Sequence, residues 1–170
     1  LLSLILILSI SSCSSIAFWQ SDEVDPDEPR ELEDFNERFQ FVENWEIKFK
    51  GENKLNNFEP AFSGSSLFFA DQKGNVSNID IQSGEIIWES ELDSTISAGI
   101  VAGFGRLFLS DDKGNLICLD QNDGSIQWKS FAGGEVLANV GVDAGLVVVK
   151  TASGFLNAFN IETGSEEWSY

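Results

Sequence analysis

A 40-residue period governs what this chain can fold into. Gly74-Asn75-Val76-Ser77-Asn78-Ile79-Asp80, followed by Gly84 and Trp88, returns as Gly114-Asn115-Leu116-Ile117-Cys118-Leu119-Asp120 with Gly124 and Trp128. It returns again as Gly154-Phe155-Leu156-Asn157-Ala158-Phe159-Asn160 with Gly164 and Trp168, each landmark moving by 40 residues without insertion or deletion. A repeat of this size is one supersecondary unit that cannot bury its apolar face alone, so successive copies must stack.

Within the middle copy, Leu107–Leu109, Leu116–Asp120 and Ile126–Lys129 are short apolar runs separated by Asp111–Asn115 and Asn122-Asp123-Gly124. Such runs between Asp/Asn/Gly clusters predict strands joined by hairpins. A shorter strand is expected to open each unit, at Pro60–Phe62, Gly99–Val101 and Val140–Val142. Four antiparallel strands per 40 residues make the blade of an all-β propeller. Val76, Ile79 and Ile81 put apolar groups on both faces of one strand, as a sheet sandwiched between neighbours requires. The tryptophan of each outermost strand then fills the space between blades, and Gly84, Gly124 and Gly164 suit turns that need positive φ.

The net charge of −18 argues against nucleic acid as a partner, because phosphate binding needs clustered Lys and Arg. The absence of histidine removes the commonest general base and metal ligand. No methionine is present, and Ser169-Tyr170 falls inside a predicted strand, so both ends read as cuts in a longer protein. Three blades alone are expected to be poorly soluble, since the first and third would each expose a face.

Leu1–Ile10 is shorter than the roughly 20 residues a membrane-spanning helix needs and reads as the apolar region of a secretory signal, over 1–12. Ile10-Ser11-Ser12-Cys13 resembles the bacterial lipobox, in which small residues fit the signal peptidase and the cysteine is lipidated. A thiol-linked diacylglycerol with an N-acyl chain suffices for stable membrane anchoring. Ser14, in place of a retaining Asp, is compatible with sorting to the outer membrane. Residues 13–38 then read as an acidic, solvated tether, with an acidic recognition segment for a basic partner as the alternative. The propeller occupies 39–170: a lone strand over 39–50 carrying Trp45, then blades over roughly 55–93, 94–133 and 134–170. A lone outer strand at the start is the device by which a propeller closes its ring. Cys118, matching Asn78 and Ala158, is expected to be a buried free thiol.

The Gly-x-Leu-x-x-Leu-Asp-x-x-x-Gly-x-x-x-Trp pattern resembles the PQQ-like repeat of quinoprotein propellers. With the lipobox, acidic tether and lone Trp45 strand, and with Val42-Glu43-Asn44, Pro60-Ala61, Gly134–Ala138 and Gly145–Val149, the chain is similar to the BamB family of outer-membrane assembly lipoproteins. The resemblance implies an eight-bladed ring and a non-enzymatic scaffold without cofactor. It implies a place on the periplasmic face of the outer membrane of a Gram-negative bacterium. The implied partners are the POTRA domains of BamA, other subunits of the BAM complex and unfolded outer-membrane proteins. The family's Leu-x-Leu-Arg contact loop lies after the third blade, so no BamA-contacting residue is assigned to a position here.

A quinone-dependent dehydrogenase is the competing reading, and an exported ligand-binding propeller lipoprotein a third. The dehydrogenase needs metal-holding carboxylates, an aspartate base and often a pair of adjacent cysteines, which this chain lacks. Asp80 and Asp120 recur with the period and become Asn160, a pattern that predicts turn hydrogen bonding instead of one catalytic site. Asp111-Asp112-Lys113-Gly114-Asn115 reads as a hairpin loop, not a calcium loop, since Thr151-Ala152-Ser153 takes its place in the next copy. No catalytic, cofactor-binding or metal-binding residue is assigned.

Overall fold

The computed structural model describes Pro29 and residues 38–49 and 58–170. The lipobox residues Ile10, Ser11, Ser12 and Cys13, the signal-like run and nearly all of the acidic tether lie outside the described residues. The chain divides between Phe41 and Val42, and every described strand lies in Val42–Tyr170.

Among the described residues, twelve strands form three sheets. The first sheet holds β1 (Ala61–Ser63), β2 (Ser66–Ala70), β3 (Asn75–Asp80) and β4 (Ile86–Glu91). The second holds β5 (Val101–Gly103), β6 (Arg106–Ser110), β7 (Asn115–Asp120) and β8 (Ile126–Phe131). The third holds β9 (Gly141–Asp143), β10 (Leu146–Lys150), β11 (Leu156–Asn160) and β12 (Glu166–Ser169). Each sheet is antiparallel in chain order, so the short opening strand is innermost and the tryptophan strand outermost. The opening strands begin one or two residues later than the sequence suggests.

The innermost strands meet one another, β1 against β5 and β5 against β9, so the sheets are blades set around one axis. Residues 38–49 contain no strand, unlike the expectation over 39–50. A strand exists only where a neighbour supplies its ladder, and no described strand pairs with this stretch.

Every blade carries a β-bulge at the same place, between Asn78 and Ile79, Cys118 and Leu119, and Ala158 and Phe159. The extra residue bends the outer strand and changes the face to which its later side chains point. As a result Phe68, Asn78 and Trp88 stand directly opposite one another across three strands and share one face. That face packs on the next blade. One core cluster joins Phe68, Ala70 and Val76 of the first blade to Leu107, Leu109, Ile117 and Leu119 of the second. Another joins Phe108, Leu116 and Cys118 of the second to Val147, Val149 and Phe159 of the third. Each fully buried Leu, Ile or Phe contributes about 1.5–3 kcal/mol, so the seams between blades carry most of the apolar stabilisation.

The antiparallel order gives the blades two rims. The β1–β2 and β3–β4 turns and their equivalents lie on one. The β2–β3 loops and the connectors from one blade to the next lie on the other. The connectors are anchored by buried apolar residues, Leu92, Ile96 and Ile100 in the first and Ala132, Val136 and Val140 in the second.

Candidate functional site: the seams and rims of the blades

The tryptophans act across the seams. Trp88 lies with its ring centroid 6.0 Å from that of Phe68 and donates its Nε1–H to the Gln121 carbonyl of the next blade at 3.2 Å. Trp128 repeats this against Phe108 at 6.0 Å and the Ile161 carbonyl at 3.1 Å. Trp45 does the same for the first blade, donating to the Ile81 carbonyl at 2.8 Å. The acceptors at 81, 121 and 161 keep the period of the repeat. Trp45 therefore fills the seat of a preceding blade although its segment forms no strand, and Phe49 stacks on Phe69 beside it at 4.0 Å.

The glycine landmarks are the other half of each seat. At Gly124 φ is +72°, and a Cβ would fall 2.6 Å from Trp88 Cζ3, inside contact distance. Gly84 and Gly164 stand in the same relation to Trp45 and Trp128. The glycines of the opposite rim work differently. At Gly114 φ is +80°, and a Cβ would meet the Gly134 carbonyl oxygen of the connector at 2.5 Å. Gly74 is equally enclosed by the first connector, whereas Gly154 has open space. Trp168 remains 41% exposed, and no glycine turn packs on it among the described residues.

The periodic carboxylates are taken up by the backbone. Asp80 Oδ1 accepts from the Ser83 N–H (2.8 Å), the Ser83 hydroxyl (3.0 Å) and the Gln82 N–H (3.0 Å). The Ser83 N–H and then its hydroxyl hold this carboxyl below the usual range against the opposing effect of burial. Asp120 accepts from the Asn122 N–H, and Asn160 Oδ1 from the Glu162 and Thr163 N–H groups. On the other rim, buried Asp111 accepts from the Lys113 and Asn115 N–H groups and the Asn115 side chain, as Asp71 does in its own loop. Thr151 substitutes its hydroxyl, accepting from the Phe155 N–H at 3.1 Å. Among the described residues no group of three His, Cys, Asp or Glu side chains could hold a metal ion.

Cys118 is a buried free thiol inside the second seam. Burial pushes it up to about 11, with the Arg106 guanidinium opposing. Three features escape the sequence pattern because they occur once. Ser97 donates to the Val136 carbonyl at 2.7 Å, tying one connector to the next. Arg106 pairs with Glu162 across the second seam. Asn78 Oδ1 and Ser110 Oγ are buried without a hydrogen-bond partner. Asn78 is signalled only by its polarity where the other copies have Cys118 and Ala158, and Ser110, between Ala70 and Lys150 of the other copies, by nothing in the pattern.

The sequence profile of the family described as "Outer membrane protein assembly factor BamB" matches residues 45–170. Proteins of that name from Kangiella koreensis and Pseudomonas aeruginosa are 37% and 33% identical over 79 residues, which is 45% of this chain. Those stretches cover 20% and 21% of the relatives, so the matched part spans about a fifth of their length. The crystal structure of BamB from Moraxella catarrhalis superposes with a TM-score of 0.62 at 24% identity, covering 66% of this chain and 35% of that one. Quinohemoprotein alcohol dehydrogenase ADHIIG from Pseudomonas putida HK5 superposes at 0.59 with 19% identity, covering 65% and 20%, which places it in the same fold. With its three four-stranded blades, its Trp45 seat and a profile match that runs from that tryptophan to the last residue, the chain belongs to the outer membrane protein assembly factor BamB family.

Proposed function

We propose that this protein is a non-enzymatic lipoprotein scaffold of the BAM complex, anchored through Cys13 to the periplasmic face of the outer membrane. It binds the POTRA domains of BamA and other subunits and aids insertion of unfolded outer-membrane proteins, within a ring of eight blades. The observation that carries this reading is the continuous family match from Trp45 through all three blades. The rim carboxylates support it as well. Asp71, Asp80, Asp111 and Asp120 are engaged by backbone N–H groups of their own turns, which is turn chemistry and not a converging site.

The test is purification of the tagged native protein from membranes of a Gram-negative host. BamA is expected to co-purify, Cys13→Ala is expected to release the protein from the membrane fraction, and lipid mass is expected on the N-terminal peptide. Loss of BamA from the purified material together with quinone-dependent dye reduction would overturn the scaffold in favour of a dehydrogenase. A Cys13→Ala protein that stays membrane-bound would overturn the anchor.

A further inference from the structure

The rim that carries the β1–β2-type and β3–β4-type turns has one residue whose conformation and exposure disagree with its chemistry. Phe104, at the tip of the β5–β6 hairpin, has φ of +53° and is 62% exposed. A bulky L-residue in the left-handed region is strained, and the equivalent tip in the first blade uses Gly64 at φ +62°. In the third blade the tip is Ala144, at φ +48°, so the turn forms without an aromatic ring. The ring of Phe104 is therefore not required by the hairpin it sits on. It also belongs to neither buried core cluster.

Its surroundings are acidic. The Gln121 N–H donates to the Gly105 carbonyl at 3.1 Å, which holds the turn bearing Asp120 and Asp123 beside the tip. A Cβ at Gly103 would lie 3.2 Å from Val142 Cγ1, which places Asp143 on the adjoining strand. Arg106, which begins β6 two residues on, pairs with Glu162, and the described turn residues of this rim carry no Lys or Arg. Asp123 and Asp143 are exposed, whereas the half-exposed Asp120 stands directly opposite Arg106 in the β6–β7 ladder. The opposite rim differs, because Lys73 and Lys113 stand on its loops.

We propose that the β5–β6 tip, Phe104 beside the exposed Asp123 and Asp143, is a docking point for a cationic segment of another polypeptide. A Lys or Arg side chain lies over the Phe104 ring while the carboxylates balance its charge. This inference does not rest on membership of any complex.

The probe is a synthetic decapeptide of alternating Lys and Leu, titrated into the full chain, with the Glu/Leu decapeptide as control. The Lys peptide binds, and Phe104→Gly weakens it about three- to fivefold while leaving Tm unchanged or raised. Asp123→Asn combined with Asp143→Asn, which keeps the local acceptors, weakens it by a similar factor and reduces its salt dependence. Equal affinity in Phe104→Gly and the parent overturns the proposal, as does tight binding of the Glu peptide. A fall in Tm on Phe104→Gly overturns it by making the ring structural. If Phe104→Gly removes a concentration-dependent dimer and leaves peptide affinity untouched, the tip is a self-contact and the proposal fails.

Discussion

The second and third blades carry the same landmarks at the same spacing, yet their outer halves live in different environments. In β8 Trp128 and Ser130 are half-buried, and Trp128 is seated on Gly164 and the Ile161 carbonyl. In β12 every residue is exposed, and Trp168 shows 41% of its surface. The local sequence is equivalent, so the difference comes from the neighbour. A Gly or Trp landmark stabilises little within its own blade and acquires its value when the adjoining copy completes the seat, as expected where stability is a sum of nearest-neighbour interfaces.

The largest test of that comparison is truncation of the two tryptophans. Trp128→Ala removes a ring packed between blades and its hydrogen bond to the Ile161 carbonyl, and is expected to cost about 3–5 kcal/mol. Trp168→Ala should cost about 1 kcal/mol or less in the same chain, because less apolar surface is removed from contact. Urea denaturation of both variants checks this. Equal losses would mean that the tryptophans act within their own blades.

The glycines sharpen it. Gly124→Ala adds left-handed strain of about 1–2 kcal/mol and forces the Trp88 ring aside, an overpacking cost of about 1–3 kcal/mol more. Gly145→Ala, at φ +81° with open space around it, should show the strain alone. If thermal melts place the two variants together, the close approach of Trp88 to Gly124 is not a constraint on the fold.

Much of this architecture was legible because repetition multiplies weak signals. One Gly-Asn-Leu-x-x-Leu-Asp stretch is ambiguous, while three at a fixed spacing fix the strands, the hairpins and the outer-strand tryptophan. Trp45 was readable by likeness to Trp88, although the strand expected around it does not form for want of a ladder partner. The bulge was not readable: Ile87, Gln127 and Glu167 share no chemistry, and the geometry comes from how the outer strand must turn to present tryptophan to the next blade. Arg106–Glu162 and Phe104 were invisible for the opposite reason. They break the period, and a pattern read from copies says nothing about a residue that occurs in one of them.

A smaller effect separates the β6–β7 and β10–β11 loops. Asp111 accepts two backbone N–H groups and the Asn115 side chain through a buried carboxylate, so Asp111→Ala should cost about 1.5–3 kcal/mol. Thr151 offers one neutral hydroxyl to the Phe155 N–H, so Thr151→Ala should cost about 0.5–1.5 kcal/mol. Asp111→Asn should recover part of the loss, since an amide oxygen can still accept from both N–H groups. Amide exchange of Lys113 and Asn115 reports the loop directly. Protection unchanged in Asp111→Ala would show that the carboxylate does not hold it.

The smallest effect turns on Cys118 and Ala158, which occupy one register position in successive blades. Burial raises the Cys118 thiol from 9.0 to about 11 in the folded chain. Between those values the unfolded chain has lost the thiol proton and the folded chain still holds it. The folded state therefore binds more protons, and stability falls as pH rises through this window. Below it the thiol is neutral in both states and contributes no pH dependence. Cys118→Ala, the side chain the third blade already uses, should abolish this part of the alkaline loss, at the cost of a small cavity. The measurement is the difference in urea midpoint between pH 8 and pH 10 for parent and variant, which cancels the titration of tyrosine and lysine common to both. A parent that loses no more than Cys118→Ala would mean that the thiol reaches water in the folded chain.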